Sequence, residues 1–323
     1  MGYQPPFTIT PNILNLVSLI SEKIGELSIS TKQPFKLRKI SRIKTLAGTL
    51  QIEGSTLSEE KITALLDGKR VLGTVREVAE AKGAIELYDK IEEFDYKSQN
   101  DLLKSHKILM HELLKDNGKY RQKNVVVGDE NGVTHVAPPF DRVPDLMCDL
   151  FEWLGSVDIH PLISSSVFHY EFEFIHPFSD GNGRMGRFWQ SLILYDYKDI
   201  FAYIPIESMV RQKQDEYYAA LEDSSSVGES TPFIEYMLDV ILETIKESEK
   251  ENVPLNVPKN VPLNRLDDII KIISENRDIT SIQIAELLKV SDKTIKRDIA
   301  KLKEQGRLKR VGSLKSGYWE IIE

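Results

Sequence analysis

The sequence predicts a mainly α protein: a helical bundle carrying one short β-hairpin, then a small separate unit of three helices and a second hairpin. Three observations predict it. Apolar residues recur at helical spacing through most of residues 11–245. Within that span, β-branched residues flank a hairpin turn at Asn131-Gly132, with Val125-Val126-Val127 on one side and Val133 to Val136 on the other. Prolines then stand at 254, 258 and 262 in a short repeat that cannot continue a helix and favours an extended linker.

Composition bounds the rest. A chain of 323 residues allows two domains, or one large domain with an appendage. Its net charge of −8 gives no overall pull towards nucleic acid or an anionic membrane. Cys148 is the only cysteine, so no internal disulfide forms, which fits a reducing, cytoplasmic location. The start lacks the basic and apolar regions of a signal peptide, and no stretch reaches the ~18 apolar residues of a membrane span. No membrane partner is expected.

The elements follow in order. Thr10-Pro11 caps a packing helix with Ile13, Leu16, Val17, Ile20, Ile24 and Leu27 inward. Leu37 to Ile52 reads as a helix with a basic start, closed by Gly54. Thr56-Leu57-Ser58-Glu59 has the form of a capping box opening another helix. Further helices are expected at 71–88 and 98–114. His106 and His111 on the latter are five apart, which is not a metal-binding spacing, and both read as structural. The hairpin follows. Then come helices at 143–153, with Cys148 as inert core, at 162–175, with His169 packing, at 185–194, at 208–221 and at 233–245.

Between two of these helices lies Ile175-His176-Pro177-Phe178-Ser179-Asp180-Gly181-Asn182-Gly183-Arg184-Met185-Gly186-Arg187. Gly181 and Gly183 let the backbone approach a ligand. Free N–H groups and the dipole at a helix start favour an anion. Arg184 and Arg187, three apart, share one face, and their forks suit phosphate oxygens. Asp180 is a hard oxygen donor able to hold Mg²⁺ beside phosphates. His176 can take a proton near neutral pH. The stretch reads as a polyphosphate cradle with a base at its lip, and it is not a Walker loop.

His176 to Arg187 matches H-x-F-x-[DE]-G-N-G-R-x-x-R, and in this the chain resembles the Fic family, helical enzymes that mostly transfer AMP from ATP to a hydroxyl of a target protein. The resemblance implies His176 as the base and Asp180 as the Mg²⁺ ligand. It implies Gly181, Asn182 and Gly183 around the α-phosphate, with Arg184 and Arg187 on the β- and γ-phosphates. Met185 and Gly186 lie within the nucleotide-binding run, and Phe178 would anchor the loop. Thr49 to Gly54 fits [ST]-x-x-x-E-[GN], the family's inhibitory motif, so Glu53 would pair with Arg187 in the γ-phosphate seat and restrain the enzyme. The exposed edge of the hairpin at 125–136 could pair with an extended segment of a target protein. The hairpin resembles the family's flap, which lies over the active site and aligns the target side chain beside the catalytic His, with Val127 as the candidate for packing on the adenine. Tyr217 and Tyr218 would supply aromatic contacts to the adenosine. Some relatives carry an Asn just beyond that pair, where this chain has Asp223-Ser224-Ser225-Ser226. ATP is the implied substrate and Mg²⁺ the implied metal. Transfer of another nucleotide or of phosphate, or AMP removal through Glu53 and a water, stands as the alternative.

On this reading residues 1–110 form an N-terminal helical region with the inhibitory helix, 111–247 the catalytic core, 248–264 the linker and 265–323 the last domain. There, three helices and a hairpin resemble a winged helix-turn-helix. Lys293, Lys296, Arg297, Lys301 and Lys303 on the third helix, with Lys309, Arg310 and Lys315 on the wing, are compatible with duplex DNA along residues 293–315. Asp292, Asp298 and Glu304 interrupt that charge. A protein-docking or dimerising module is the other reading, which makes a homodimer a partner to test beside DNA, together with a DNA-binding regulator whose core only senses nucleotide.

Overall fold

The computed structural model describes residues 3–30, 34–129, 132–251, 265–288, 292–311 and 318–322. They form two compact units, residues 1–255 and residues 256–323.

The first unit opens with α1 (Pro11–Ser30), α2 (Pro34–Ile52), α3 (Glu59–Leu66), α4 (Val75–Asp89) and α5 (Gln99–Leu109). The hairpin β1 (Val126–Asp129) and β2 (Gly132–Val136) follows, then α6 (Val143–Ser156), α7 (Pro161–Ile175) and α8 (Asn182–Tyr197). The unit ends with α9 (Ile206–Gln212), α10 (Gln214–Val227) and α11 (Thr231–Glu251). No helix among the described residues is long and apolar enough to cross a membrane.

The caps explain where expectation and structure part. Thr10 Oγ1 accepts from Ile13 N at 3.1 Å and starts α1 as read. Ser58, not Thr56, caps α3 by accepting from Lys61 N. Thr56 instead donates to Glu77, 21 residues further along the chain. Helix α4 starts at Val75 rather than 71, because Thr74 and Glu77 form a reciprocal capping box there. Four N–H and O–H donors hold the Glu77 carboxyl down at about 2. The helix expected at 208–221 is two helices, broken at Lys213. Helix α11 runs on to Glu251, into the segment read as linker, and residues 252–264 with their prolines lie outside the described residues. Cys148, expected in the core, is exposed on α6.

Helix α7 explains the bundle. Its residues from Leu162 to Phe172 are buried on every face, so it is a central helix rather than an amphipathic one. It lies against α6, α8 and α11. Trp189, Phe168, Phe172, Phe178 and Phe188 are wholly buried around it. Helix α1 covers α11, and α2 packs along α9. The two ends that matter, the C-terminus of α7 and the N-terminus of α8, are thereby fixed from both sides by core.

The second unit contains α12 (Arg265–Glu275), α13 (Ser281–Leu287), α14 (Asp292–Glu304), β3 (Leu308–Val311) and β4 (Tyr318–Ile321). Strands β3 and β4 pair antiparallel, Leu308 opposite Ile321. Ile269, Ile273, Ile284, Ile295, Leu302 and Trp319 make its core. Three helices and a wing match the expected architecture. Asp298 departs from expectation: it is buried, 6% exposed, so it does not break the outer face of α14, where Lys296, Arg297, Lys301 and Lys303 are exposed. The side chain of Lys293 and the whole of Lys315 lie outside the described residues.

Candidate active site

The segment from His176 to Gly181 joins two buried helices in a few residues. His176 closes α7 with φ 51° and ψ 61°, the one non-glycine residue with positive φ among those described. Such a conformation costs of order 1–3 kcal/mol and persists only where surroundings impose it. Phe178 supplies part of that imposition. It is fully buried, stacked on His106 with centroids 3.7 Å apart. Asn182 adds a pair of bonds, Oδ1 accepting from Phe178 N at 2.8 Å and Nδ2 donating to Phe178 O at 2.9 Å. Gly181 starts α8 with φ 85°, a value that favours glycine.

Sequence reasoning missed three supports of this loop. His106, taken as structural only, reaches the signature. Gly118 N donates to its Nδ1 at 2.9 Å, so its Nε2 carries the proton and donates to Asp180 O at 3.0 Å. Burial lowers its pKa to about 4, which keeps that tautomer neutral. Arg121 is 2% exposed and donates to carbonyls of the loop and of the hairpin roots. Glu80 on α4 lies 3.3 Å from Arg184 Nη1. The only visible signal was the i,i+4 spacing of Arg76 and Glu80. Nothing in the chain order says that α4 faces α8.

The two arginines are buried, each 3% exposed. Arg187 Nη2 donates to Glu53 Oε1 at 2.6 Å and to Thr49 O at 3.2 Å, and its Nε donates to Thr49 Oγ1 at 3.1 Å. Thus residues from the end of α2 and from α8, far apart in sequence, meet in one ion pair. Burial alone would lower the Arg187 pKa, and Glu53, Tyr217 and Glu173 together more than reverse that. Gly183 leaves room for this pair: a Cβ would stand 2.5 Å from Glu53 Oε1 and displace it. Arg184 Nη2 donates to Asp180 Oδ1 at 3.2 Å, and Arg76 Nη2 donates to Asp180 Oδ2 at 2.9 Å. A cavity of about 270 Å³ opens beside them, lined by Glu53, Thr74, Arg76, Glu80, Asp180 and Arg184 among others.

The remaining expected residues are distributed. Gly186 lies against His169 and Glu173. Met185 belongs to the core, with its N–H bonded to Gly181 O at 3.0 Å. Tyr217 is buried as well, its hydroxyl donating to His169 Nε2 at 3.1 Å, since His169 Nδ1 is engaged by Gln190 Oε1 at 2.7 Å. Gln190 Nε2 points to Ser166, which fixes that orientation. Tyr218 is 49% exposed and accepts from Gln214 Nε2, which also donates to Ile52 O beside Glu53. Ser224, where an amide was looked for, is buried and caps α11 through Phe233 N. Val127 pairs with His135 in the hairpin, next to an irregularity at Gly128, and β2 adjoins α10. The side chain of Val127 and the residues Glu130 and Asn131 lie outside what is described.

Glu173 is a further buried carboxyl. Its Oε2 lies 4.0 Å from His176 Nδ1, and its Oε1 lies 3.8 Å from His169 Nε2. Burial pushes it up to about 8, Arg187 opposes that, and Glu53 adds to it. The folded value exceeds the ordinary 4.5, so the native state keeps a proton that the unfolded chain releases between those values. Stability is then lost as pH rises through that window. Glu173→Gln should flatten the loss, so that melting temperatures of wild type and variant diverge from about pH 5.5 to about pH 8.5. Parallel curves would refute the assignment.

Comparison with known proteins bears on this arrangement. The pattern described as Fic/DOC family matches residues 96–194, and that described as DeoR-like helix-turn-helix domain matches 265–313. Protein adenylyltransferase fic-1 of Caenorhabditis elegans is 30% identical over 203 residues, 58% of this chain and 37% of that protein. Protein adenylyltransferase Fic of Aedes aegypti is 27% identical over 216 residues, 63% of this chain and 41% of that one. The chain thus spans about two fifths of the length of these curated relatives. A solved fragment of C. elegans Fic-1 shares the fold at 22% identity and a TM-score of 0.59. The crystal structure of a Fic family protein from Desulfovibrio desulfuricans G20 is 38% identical, with a TM-score of 0.74, covering 99% of this chain and 98% of that one. A likeness at that identity along the whole of both chains establishes descent, and the chain belongs to the Fic/DOC family.

Proposed function

We propose that the protein transfers AMP from ATP to the hydroxyl of a Ser, Thr or Tyr on a target protein, and that Glu53 restrains it. One observation carries the reading: a single turn joins an imidazole, a helix N-terminus and two buried guanidinium groups, one of them already holding a carboxylate at 2.6 Å. ATP would lie with its α-phosphate on the first turn of α8, at Gly181, Asn182 and Gly183, where N–H groups lack helical partners. Arg184 and Arg187 would take the β- and γ-phosphates. Arg184 Nε is buried with no hydrogen-bond partner, an orphan that an incoming phosphate oxygen would satisfy. As the target oxygen bonds to the α-phosphorus, His176 takes its proton. The bond from that phosphorus to the oxygen bridging the β-phosphate breaks. Pyrophosphate leaves with its charge offset by the two arginines.

Asp180 offers a hard carboxylate at the phosphate end of the cavity, and its chemistry fits Mg²⁺. Among the described residues it belongs to no cluster of three or more ligating side chains, so phosphates and waters would have to supply the ion's other ligands. Once bound, Mg²⁺ would neutralise phosphate charge. The target segment would pair with the hairpin edge at 125–136, where Val126 and Val136 are exposed opposite each other. Val127 and Tyr218 would border the adenosine. Mass spectrometry after incubation with each nucleoside triphosphate tests the reading. One added AMP on a hydroxyl residue supports it; UMP or phosphate alone, or removal of AMP from a modified target, overturns it.

We also propose that the second unit binds duplex DNA. The exposed Lys296, Arg297 and Lys301 on α14, with Asp298 withdrawn, support this. Lys303 and Arg310 lie over the Trp319 ring, at 5.3 and 4.6 Å. Changing Arg297 and Lys301 to Glu should weaken binding across all sequences and lower the salt slope by about one per lost phosphate contact. An unchanged slope in a fluorescence-anisotropy titration would refute it, and a shift of oligomeric state would favour the dimerising reading.

A further inference from the structure

A buried guanidinium without a carboxylate is uncommon, and Arg121, 2% exposed, donates among the described residues to backbone carbonyls. Nε donates to His176 O at 2.8 Å and Nη2 to Ile175 O at 3.3 Å. Its own backbone N donates to Pro177 O at 2.9 Å. These three carbonyls stand where α7 ends, at the negative end of its dipole, and the helix itself leaves them without N–H partners. The other side of the same group grips the hairpin. Nη1 donates to Lys123 O at 2.9 Å, and Nη2 to Pro138 O at 2.5 Å. Lys123 stands three residues before β1, and Pro138 two residues after β2. Asn124 Oδ1 adds a bond from Phe140 N, at 3.0 Å, that closes the same root.

We propose that Arg121 is the positioning residue that sets the spacing between the hairpin and His176, and so brings a target hydroxyl within reach of the base. This rests on the transfer reaction proposed above. Arg121 itself touches neither reactant in that scheme. Its planar fork matters, because four side-chain bonds in two directions need fixed donors. A lysine in its place keeps the charge but has one flexible nitrogen. It also helps to hold the left-handed conformation of His176, since the carbonyl it takes belongs to that residue.

The test uses R121K in the full-length Glu53→Gly protein. A second variant inserts one Gly between Lys123 and Asn124, which leaves the guanidinium on the loop and lengthens one hairpin leg. Both should keep the Kd for a fluorescent ATP analogue within about threefold and lose about 10²-fold in transfer to protein, the effect of misplacing a reacting group by about 1 Å. In R121K, hydrogen exchange of the free protein should accelerate together in residues 126–136 and 176–183. Transfer at the level of the Glu53→Gly parent in either variant overturns the proposal, as does a fall in nucleotide affinity parallel to the fall in transfer. Exchange that changes in one segment only overturns it also. Exchange needs no reaction, so an inactive Glu53→Gly parent would sink the transfer reading while the coupling of hairpin and loop is still decided.

Discussion

Glu53→Gly is expected to raise AMP transfer to protein by about 10- to 10²-fold. The argument is one of competition. On the proposed reading the γ-phosphate would seat on Arg187, whose guanidinium instead donates a charge-assisted bond of 2.6 Å to Glu53 and two further bonds to Thr49. Truncating a hydrogen bond to a charged group is worth about 1.5–3 kcal/mol, and that range corresponds to the stated factor. The outer turn should survive, because Glu53 N and Gly54 N bond to Leu50 O and Gln51 O without the side chain. Labelled-ATP transfer into a lysate and onto the protein itself checks this. Equal transfer by both forms would remove Glu53 from the regulatory role.

His176→Ala in the same background is expected to lower transfer by about 10²–10⁴-fold, the usual contribution of a positioned base. ATP affinity should hold, because in this scheme the phosphates rest on α8 and its arginines. A proportionate loss of nucleotide affinity would mean that the ring supports the loop rather than accepts a proton. The structure separates these roles. The His176 backbone is tied by Phe172 and Arg121 through bonds that the alanine variant retains.

Local patterns made much of this legible. A proline at the first turn with Thr10 before it started α1 as read, and the apolar spacing of residues 162–175 located α7 to within a residue. The pairing of Glu53 with Arg187 was expected from two short motifs, and their contact at 2.6 Å follows. Boundaries failed where a side chain far along the chain decided them. Thr56 reads as a cap, yet it serves Glu77, and that same Glu77 delays the start of α4. His106 and Arg121 carry no motif, and the i,i+4 spacing of Glu80 from Arg76 does not point to Arg184, because a bond to a carbonyl or carboxylate across the fold leaves no spacing behind.

What the chain order determined by itself was chemistry: which turn can hold an anion, which residue can take a proton there, and which carboxylate can oppose it. The first two follow from residue type and from spacings of three or four, which a helix translates directly into one face; the third is what the motif at Thr49 to Gly54 implies through the family resemblance. Only the tertiary structure decided what surrounds them. It gave Tyr217 and Met185 to the core, withdrew Asp298 from the face of α14, and set one buried guanidinium between the catalytic loop and the hairpin. The reason is desolvation. Once α7 is buried on all sides, every polar group at its end needs a partner inside the protein, and folding draws those partners from wherever the chain passes.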